Sequence, residues 1–436
     1  MRVLVLTDNF VPEQNAPALR TYEHCRRWVE EGVSVTVITT APNFPTGKVQ
    51  RPYRNWLYKR EDIDGIDVVR VWSFLAPNSG VVLRALDFAS FAVSGALAGL
   101  FETPDVIMAT SPQLLTGYAG HLLSRAKRRP WVFEVRDLWP ESITAVEAMG
   151  DGFLMRMLAR MEKRLYRSAD RIVTVTEPLR ARIAMSGVAK EKIGVVPNGA
   201  NLVRLAPRNK SAALMQVMKL EGRFVVGYVG THGMAQGLET VLRAARLMQG
   251  SDVHFLFVGE GARRKALMSM ARVLELDNVT FTGGVPSHIA VEHLALADAI
   301  VIPLKKSALF EGALPSKIFE AAAMERPIII SAEGISAETV QAFGAGVVAS
   351  PGDPEALAHA IRRLMASPAL REQCRDGCRA LARAHDRDHL ATLMLNEIRV
   401  VADIRMPEKR RLKQRLRRRQ RKAAMAREEF PQAGNF

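Results

Sequence analysis

The sequence has very little cysteine, with three residues among 436, at positions 25, 374 and 378. So few thiols exclude the disulfide framework of a small secreted protein and indicate a reducing compartment. Cys374 and Cys378 are four residues apart and could share a helix face, but two thiolates without further ligands make a poor zinc site. We therefore interpret both as buried packing residues.

Long hydrophobic runs are also lacking. The longest uncharged apolar segment, Phe88–Phe101, has 14 residues, whereas a membrane-spanning helix needs roughly 20. We expect this segment to form a buried helix or one that lies at a surface, where it could add an apolar contact with a membrane. The apolar residues after Arg2 are too few for a secretory signal and predict a strand.

Acidic residues are nearly lacking from residues 405–427, which hold twelve Lys or Arg and one acid and so carry +11 of the net charge of +16. Anionic lipid surfaces attract such segments by about 1 kcal/mol per basic residue. Nucleic acid would attract them by the same electrostatics, but no aromatic residues are interleaved for base stacking. We expect an anionic membrane surface rather than nucleic acid, with solvated disorder as a third alternative.

What the chain does contain is an alternation of short apolar strands and longer helical patterns. A first series of strands runs from residue 2 to 196 and a second from 224 to 349. Near-continuous apolar strands between helices predict parallel sheets that are covered on both faces. The pattern therefore predicts an α/β protein of two doubly wound domains, with the ligand in the cleft between them.

The polar stretch between the two series is the predicted linker, and the basic end of the chain is a predicted tail. The predicted segments are residues 1–200 (first, acceptor-side domain), 201–222 (linker), 223–385 (donor domain), 386–405 (a helix returning to the first domain) and 406–436 (basic tail).

A helix start at Pro315–Glu320 is the most informative local pattern. Proline favours the first helical position, and the free N–H groups and positive potential of a helix start attract phosphate. Glu320 lies one turn further on, where a carboxylate could accept hydrogen bonds from two ribose hydroxyls. An ordinary capped helix is the alternative for this stretch taken alone.

Three more strand ends carry glycine-rich turns, at Gly230–Gly237, Val258–Gly261 and Gly283–Pro286. Glycine lets the backbone approach a phosphate closely, and successive N–H groups can cradle it. The third turn could form a slot for a flat base. Tight turns of this kind are common, and the spacing is not that of the dinucleotide fingerprint.

Taken together, these segments resemble the retaining, nucleotide-sugar-dependent glycosyltransferases of family 4, which have the GT-B fold of two facing Rossmann-like domains. The resemblance covers residues 1–405, and the segments that carry it in order and spacing are residues 195–199, 258–261, 279–283, 297–303 and 317–321. Asn43–Gly47 and Arg136–Ser142 resemble the subgroup that transfers sugars, often N-acetylated deoxysugars, in bacterial O-antigen, capsule or exopolysaccharide assembly.

The resemblance implies a UDP-sugar as donor substrate, no further cofactor and no metal. It implies a polyprenyl-diphosphate-linked or saccharide acceptor, and a cytoplasmic enzyme that is peripheral at the inner face of the plasma membrane. In the donor domain it implies that Glu320 binds ribose, that Ser316 and Lys317 bind the diphosphate together with the backbone of Gly233, and that Val285 lies at the base.

In the first domain, Arg136 or Asp137 stands where many relatives carry a His-Asp pair that faces the donor sugar. We expect the acceptor to bind near Glu13 and Arg20, and Arg20 could pair with an acceptor phosphate. An exposed helix charge is the alternative for Arg20.

The sequence departs from the family pattern at two places. Eight residues before Glu320 the family has a glutamate, whereas this chain has Gly312, with Glu311 one position early. Either Glu311 still meets the donor sugar, or backbone N–H groups from Gly312 to Leu314 do so.

The second departure is in the first glycine-rich turn, where His232 and Gln236 stand in place of the usual basic residues. We expect His232 to contribute to the donor site. The negative charge of the leaving diphosphate must be stabilised, and Lys317, helix dipoles, Lys305 or Arg136 would supply that stabilisation.

Two other polar clusters are weaker candidates. We interpret Asp62-Ile63-Asp64 as surface rather than a metal site, and His385–His389 as a helix cap rather than a metal cluster. Two other functions stay open: a UDP-sugar 2-epimerase, which shares the fold and donor pocket but needs more acid/base groups, and a non-catalytic membrane or nucleic-acid binder that acts through the tail.

Overall fold

The computed structural model describes residues 1–44, 46–75, 81–111, 113–138 and 153–404. They form two α/β domains, each built on a mostly parallel sheet with helices on both faces. The strands are rich in valine and isoleucine, which are buried on both sides of the sheets. The predicted pair of doubly wound domains is therefore confirmed.

The first sheet has eight strands in the order β3-β4-β2-β1-β5-β6-β7-β8. All neighbouring pairs are parallel except β3 and β4. The elements of this domain are β1 (Arg2–Leu6), α1 (Ala16–Glu30), β2 (Ser34–Thr39), β3 (Tyr58–Ile63), β4 (Ile66–Val71), α2 (Val81–Gly99), β5 (Val106–Thr110), α3 (Leu114–Lys127), β6 (Trp131–Val135), α4 (Phe153–Ser168), β7 (Arg171–Thr174), α5 (Glu177–Met185) and β8 (Ile193–Val195).

The second sheet has six parallel strands in the order β11-β10-β9-β12-β13-β14. Its domain contains α6 (Ala212–Val217), β9 (Phe224–Val229), α7 (Leu238–Arg246), β10 (Val253–Val258), α8 (Arg264–Val273), β11 (Val279–Gly283), α9 (Ser287–Leu296), β12 (Ala299–Pro303), α10 (Ser316–Ala323), β13 (Ile328–Ser331), α11 (Ile335–Ala342), β14 (Gly346–Ala349), α12 (Pro354–Ala366) and α13 (Pro368–Ala384), and α14 (Arg387–Ile404) follows it.

The last helix, α14, returns to the first domain and packs on α1, as predicted. Trp28 Nε1 donates to the carbonyl of Ala391 at 2.8 Å. Leu390 and Met394 are buried in the same core as Trp28. The chain therefore crosses between the domains twice, once after β8 and once before α14.

Each sheet changes direction of winding at one point. In the first sheet this switch point lies between β1 and β5, and in the second it lies between β9 and β12. Open α/β sheets bind ligands beyond the carboxyl ends of the strands that flank such a point. The fold therefore directs attention to the loops after β1, β5, β9 and β12.

Among the described residues, no helix is both long enough and apolar enough to cross a membrane. The segment Phe88–Phe101 lies mostly in α2, which covers one face of the first sheet. Phe91 of this helix is buried against the sheet, whereas Leu97 and Phe101 are exposed. The expected helix is therefore present, with one face buried and one face exposed.

Candidate functional site

The start of α10 is the first part of the candidate donor site. Pro315 precedes the helix in an extended conformation, with φ −62° and ψ 141°, and no side chain caps the helix. The first turn of a helix leaves backbone N–H groups without partners inside the helix, so those of Ser316 and Lys317 are available to an anion. Glu320 is half-buried one turn later, and no described residue donates to its carboxylate.

Lys317 is fixed where the loop after β9 meets α10. Its Nζ donates to Tyr228 Oη at 2.6 Å and lies 4.4 Å from the centroid of the Tyr228 ring. A Cβ on Gly230 would lie 2.3 Å from Lys317 Cε, so any other residue there would displace the end of the lysine side chain from this position. Tyr228 is itself anchored by a hydrogen bond to the carbonyl of Thr231 at 2.6 Å.

His232 is buried beneath this loop, so its side chain does not reach the cleft. Burial first, and then the charge of Lys317, lowers the pKa of His232 to about 4, so the ring is neutral. His232 was expected to contribute to the donor site; the structure shows its ring fully buried and enclosed by aromatic neighbours, Tyr228, Phe257 and Phe281.

Gly233 and Lys305 meet at the switch point of the second sheet. The loop that contains Gly233 is joined to the end of β12, where the Lys305 N–H donates to the carbonyl of Ala235 at 2.9 Å. A Cβ on Gly233 would lie 2.6 Å from Gln236 Oε1, which has no hydrogen-bond partner among the described residues. The Lys305 side chain is exposed beside this loop.

The carboxylate of Glu260 holds the turn at Gly283–Pro286, which is predicted to bind the base. The N–H of Gly284 donates to Glu260 Oε1 at 3.3 Å, and Arg264 Nε lies 3.5 Å from the same oxygen. Val285 is half-buried next to this turn and packs on the core of the second domain. Glu260 was not among the predicted site residues, although its place between two glycines at a strand end was a usable signal.

Glu311 lies in a short helical turn between β12 and α10 and is exposed. Glu311 and Lys305 both line a shallow surface depression that also includes Ser307 and Glu333. Its backbone packs closely on Gly334, where a Cβ would lie 2.2 Å from the Glu311 carbonyl oxygen. The one-residue shift of the glutamate thus leaves it at the edge of the donor loops.

The loop at residues 312–314 is clamped through its three carbonyls. Thr176 Oγ1 donates to the carbonyl of Gly312 at 3.0 Å. Ser336 Oγ donates to the carbonyl of Ala313 at 2.6 Å, and Asn198 Nδ2 donates to that of Leu314 at 3.1 Å. The C=O and N–H of one peptide unit point in opposite directions, so the N–H of Leu314 points away from Ser336. No described residue accepts a hydrogen bond from it.

Thr176 and Asn198 belong to the first domain, so this clamp joins the two domains at the donor site. Sequence reasoning missed Thr176 and Tyr228, because neither stands in a recognisable pattern. Asn198 could have been found, because it lies in the junction segment 195–199 that carried part of the family resemblance.

In the first domain, Arg20 and Arg136 both bind the buried carboxylate of Glu134. Arg20 Nε lies 3.0 Å from Glu134 Oε1, and Arg136 Nη2 lies 2.7 Å from Oε2. Burial alone would raise the pKa of Glu134, but the two arginines outweigh it and lower the pKa to about 2. Arg20 also donates to the carbonyls of Val196 and Pro197, at 3.0 and 2.7 Å.

These contacts give Arg20 and Arg136 structural roles. Arg20 is buried and holds the chain where it crosses between domains, so it does not face an acceptor phosphate as expected. Arg136 is held at Glu134 and Thr21, and only Asp137 beside it is exposed. The sequence could not reveal this, because Arg20 and Glu134 are separated by 114 residues.

Glu13 lies at the cleft, but its carboxylate is occupied. Its Oε1 accepts the N–H groups of Asn43 and Phe44, at 2.7 and 2.9 Å, and burial raises its pKa to about 6. The next residue, Gln14, accepts the N–H of Ser287 through Oε1 at 2.6 Å. The loop after β1 therefore spans the cleft to the start of α9.

Some predicted elements lie outside the described residues, namely Pro45 of the segment Asn43–Gly47, residues 139–142 of the segment Arg136–Ser142, and the tail from residue 405. Within the described part, no group of three or more His, Cys, Asp or Glu side chains is arranged to hold a metal ion.

Comparison with known families gives two matches that lie one after the other along the chain. The family described as "Glycosyl transferase 4-like domain" matches residues 15–199. The family described as "Glycosyl transferases group 1" matches residues 212–380. The first match covers most of the first domain, and the second covers the candidate donor site.

Two curated glycosyltransferases are similar to this chain, one over its full length and one over part of it. The chain is 25% identical over 411 residues to the putative colanic acid biosynthesis glycosyl transferase WcaI of Escherichia coli, covering 92% of this chain and 100% of the relative. It is 26% identical to the probable glycosyltransferase WbjE of Pseudomonas aeruginosa, covering 63% of this chain and 69% of the relative.

Solved structures share the fold. Sucrose-phosphate synthase of Thermosynechococcus elongatus superposes with a TM-score of 0.73 at 20% identity, covering 92% of this chain and 98% of that one. Anabaena HepE in complex with UDP-glucose superposes with a TM-score of 0.68 at 16% identity, covering 91% and 98%.

Proposed function

The chain belongs to the family 4 glycosyltransferases and has their GT-B fold, and we propose that it transfers a sugar from a UDP-sugar to an acceptor of bacterial cell-surface polysaccharide synthesis. We propose retention of the anomeric configuration, and an N-acetylated or deoxy hexose as the transferred sugar. The relative named for colanic acid biosynthesis supports the acceptor class, and the solved complex of HepE with UDP-glucose supports the donor class.

The observation that carries this proposal is the arrangement at the start of α10. Free backbone N–H groups, the fixed ammonium of Lys317 and the unpaired carboxylate of Glu320 lie within two helical turns. The N–H groups and the ammonium suit a diphosphate, and a carboxylate one turn away suits the two hydroxyls of a ribose. Along the helix the groups that suit a diphosphate come first and the carboxylate that suits a ribose comes next. Diphosphate and ribose are likewise adjacent in a nucleoside diphosphate.

The chemistry follows from this arrangement. When the bond between the anomeric carbon and the diphosphate breaks, negative charge develops on the leaving phosphate. In this proposal the diphosphate binds at the helix start and at Lys317, which are fixed before the reaction and would stabilise that charge without reorganisation. Glu311 and the free N–H of Leu314 lie at the edge of the same loops, where the donor sugar would extend toward the first domain.

Binding of UDP to a Glu320→Ala variant tests the donor site. We expect at least a tenfold loss of UDP affinity by calorimetry, because the variant loses a charged hydrogen-bond acceptor for ribose, an interaction of about 1.5–3 kcal/mol. The control is Glu338→Ala, which removes an exposed carboxylate from the neighbouring helix α11. Equal affinity of the Glu320 variant and the wild type would sink the assignment.

The two alternatives make different predictions in the same assay. An epimerase would convert the UDP-sugar to its C2 epimer without any acceptor, which NMR of the nucleotide sugar detects. A tail-driven binder would not bind UDP at all. The contacts around α10 favour the transferase over the binder, because they form a site for a nucleotide far from the tail in sequence.

We further propose that the acceptor is lipid-linked or a saccharide and that the enzyme works at the anionic face of a membrane. The exposed side of α2 supports this, because an apolar stripe runs along it from Leu83 to Leu100, just beyond the helix end, a length of about 26 Å at a rise of 1.5 Å per residue. Two basic side chains lie near one end of this stripe: Lys127 Nζ donates to the carbonyl of Leu100 at 2.7 Å, and Arg60 pairs with Glu102 at 3.3 Å. The stripe consists of Leu83, Leu86, Val93, Leu97 and Leu100.

A further inference from the structure

Arg84 is a cation at the edge of the first domain that no part of the donor site uses. It lies in the first turn of α2, the helix that follows β4 in the first sheet. A helix that follows a strand of a parallel sheet starts near the carboxyl end of that strand. Arg84 therefore lies at the edge of the sheet where an open α/β fold binds its ligand.

The side chain of Arg84 lies on the sheet-facing side of α2 and not on the exposed apolar stripe. Arg84, Asp87 and Phe91 are spaced at three and four residues, so they share one face of the helix. Asp87 and Phe91 are buried on this face, whereas Arg84 is exposed. Because this face is buried further along the helix but open at its start, Arg84 faces the space beyond the strand ends.

Arg84 is held in place, but no hydrogen-bond acceptor uses its N–H groups. Its guanidinium carbon lies 5.4 Å from the centroid of the Phe88 ring, a contact that favours one orientation of the side chain. No described residue forms a hydrogen bond or an ion pair with it. A guanidinium has five N–H donors in a planar fork that suits phosphate oxygens, so those of Arg84 are available to an anionic ligand.

The carboxylates near Arg84 compensate its charge only in part. Loss of part of its water lowers the pKa of the Arg84 guanidinium, and the charges of Asp87 and Asp8 oppose this decrease. Asp8 is directed into the domain, where its side chain accepts a hydrogen bond from Gln113. An arginine stays protonated in proteins, so the charge of Arg84 remains for an anion to balance.

An apolar surface begins beside this cation. Leu83 directly precedes Arg84 and is the first residue of the exposed stripe of α2, with Leu86 next along it. Phe74 is also exposed and lies beside the same helix, because its N–H donates to Ser90 Oγ at 2.7 Å. A cation next to an exposed apolar surface suits an amphiphile, with its anionic group at Arg84 and its chain on the leucines.

The loop beside Arg84 also reaches the donor domain. Asp8 is in the loop after β1, and Gln14 of the same loop accepts the Ser287 N–H at 2.6 Å. Ser287 begins α9, directly after the turn that is predicted to bind the base. A group bound at Arg84 would therefore lie on the side of the first domain that faces the donor.

We propose, on the basis of the proposed function, that Arg84 binds the diphosphate of a lipid-linked acceptor and that the lipid leaves the cleft past Leu83 onto the exposed face of α2. Arg84 then has the role that the sequence suggested for Arg20, which is buried and bound to Glu134. A prenyl diphosphate fits this surface better than a free saccharide does, because a guanidinium pairs strongly with phosphate and the leucines offer nothing to sugar hydroxyls.

The test is binding of farnesyl diphosphate, a short soluble prenyl diphosphate, to the full chain by calorimetry. UDP is present at saturation, so that the donor phosphate site is filled. For Arg84→Gln we expect the affinity to fall by about tenfold or more, because charged hydrogen bonds to phosphate are lost. The affinity for farnesol, which has the chain without the phosphates, should not change, and neither should the affinity for UDP measured alone.

Two results would overturn the assignment of Arg84. One is equal affinity of Arg84→Gln and the wild type for farnesyl diphosphate. The other is a loss of UDP affinity as large as the loss for farnesyl diphosphate, because Arg84 would then contact the donor diphosphate.

The matched control is Arg60→Gln, which removes an exposed arginine near the other end of α2, where it pairs with Asp67 and Glu102. This variant has the same change in net charge and should keep the affinity for farnesyl diphosphate. A loss equal to that of Arg84→Gln would indicate unspecific charge attraction and would contradict a site at Arg84.

A second variant keeps the test decisive if Arg84→Gln does not fold. Leu83→Gln changes an exposed side chain and should weaken binding of farnesyl diphosphate several-fold, because apolar contact with the chain is lost. Its affinity for inorganic diphosphate should match that of the wild type. Equal affinity of the wild type for farnesyl diphosphate and inorganic diphosphate would overturn the lipid-linked class of acceptor.

Failure of this inference is distinguishable from failure of the proposed function. If the wild type does not bind UDP, the proposed function itself fails. If the wild type binds UDP but does not bind farnesyl diphosphate, only the acceptor site at Arg84 is overturned.

Discussion

Gly230 leaves the space that the Lys317 side chain occupies on its way to Tyr228. The lysine passes directly over this residue, whose φ of +134° is also rare for residues with a side chain. For Gly230→Ala we expect at least a tenfold loss of UDP affinity, because the new Cβ would occupy the position of Lys317 Cε and displace the ammonium from Tyr228. Calorimetry with UDP measures this loss, and the thermal midpoint reports the added backbone strain.

The control for this variant is Gly250→Ala. Gly250 also has a positive φ, +77°, but a Cβ there would meet nothing within 4 Å. It should cost roughly 1 kcal/mol of stability from backbone strain alone and leave UDP affinity unchanged. If both variants lose the same small amount of stability and neither loses UDP affinity, Lys317 does not contact the diphosphate.

At the scale of single residues, the sequence was informative where the chemistry is local. Lys317 and Glu320 could be proposed from their spacing in one helix start, whereas the contacts that fix Lys317 on Tyr228 beside Gly230 could not. Arg20 and His232 were misplaced, because their positions depend on partners that are distant in sequence or on an enclosing aromatic cluster.

Among the elements, α2 offers the clearest functional surface. Leu97 is 57% exposed, and Phe101, just beyond the helix end, is 85% exposed. We expect Leu97→Gln combined with Leu100→Gln to weaken flotation with phosphatidylglycerol vesicles, because the variant removes apolar side chains that would enter the bilayer interface. UDP affinity should not change, because α2 lies on the far side of the first domain's sheet from α1 and makes no described contact with α10.

Two further proteins complete that experiment. Leu247→Gln alters an exposed leucine of the second domain and serves as the control. A chain that ends at Ile404 lacks the basic tail and should bind anionic vesicles less tightly through lost charge attraction alone. Undiminished flotation of the double variant would exclude α2 as the membrane contact, and self-association of the wild type by light scattering would instead indicate a second copy as its partner.

Most elements could be predicted, because buried parallel strands have near-continuous apolar sequences. The exception in the first sheet is β3, an edge strand whose exposed residues alternate with half-buried ones and whose sequence is mostly polar. The sequence sign of this strand was the Asp64-Gly65 pair that follows it, because Asp-Gly is typical of a two-residue hairpin turn. Both residues have the positive φ that such a turn requires, 52° and 77°. The predicted linker also contains a helix, α6, which packs on the second domain's core.

For the whole molecule, the two chain crossings between the domains are held by charges on α1. Arg20 binds the carbonyls of the first crossing, and Glu23 binds Arg387 at the second. Arg387 also donates to the Gly199 carbonyl, so the two crossings are joined to each other. The number of domains could be read from the alternation of elements, but this network could not, since its members come from three separate parts of the chain.

Glu134 is the carboxylate on which this network depends, and its removal should be costly. Glu134→Gln leaves Arg20 and Arg136 buried without their counter-charge, and breaking a buried pair in this way costs about 3–5 kcal/mol. We expect a markedly lower thermal midpoint at pH 7. The control is Glu177→Gln, which breaks an exposed pair with Arg180 and should cost under about 1 kcal/mol.

The pH dependence of this difference gives the sharper test. The pKa of Glu134 falls from 4.5 to about 2 in the folded protein, so its contribution is fully present above pH 4.5 and is lost as the pH falls toward 2. The linked free energy is roughly 3 kcal/mol. The stability advantage of the wild type over Glu134→Gln should therefore be constant from pH 7 to 5 and shrink between pH 4.5 and 2, as followed by urea unfolding at each pH. An advantage that stays constant down to pH 2 would mean that the carboxylate is not stabilised by the two arginines, and the crossings would then be held by packing alone.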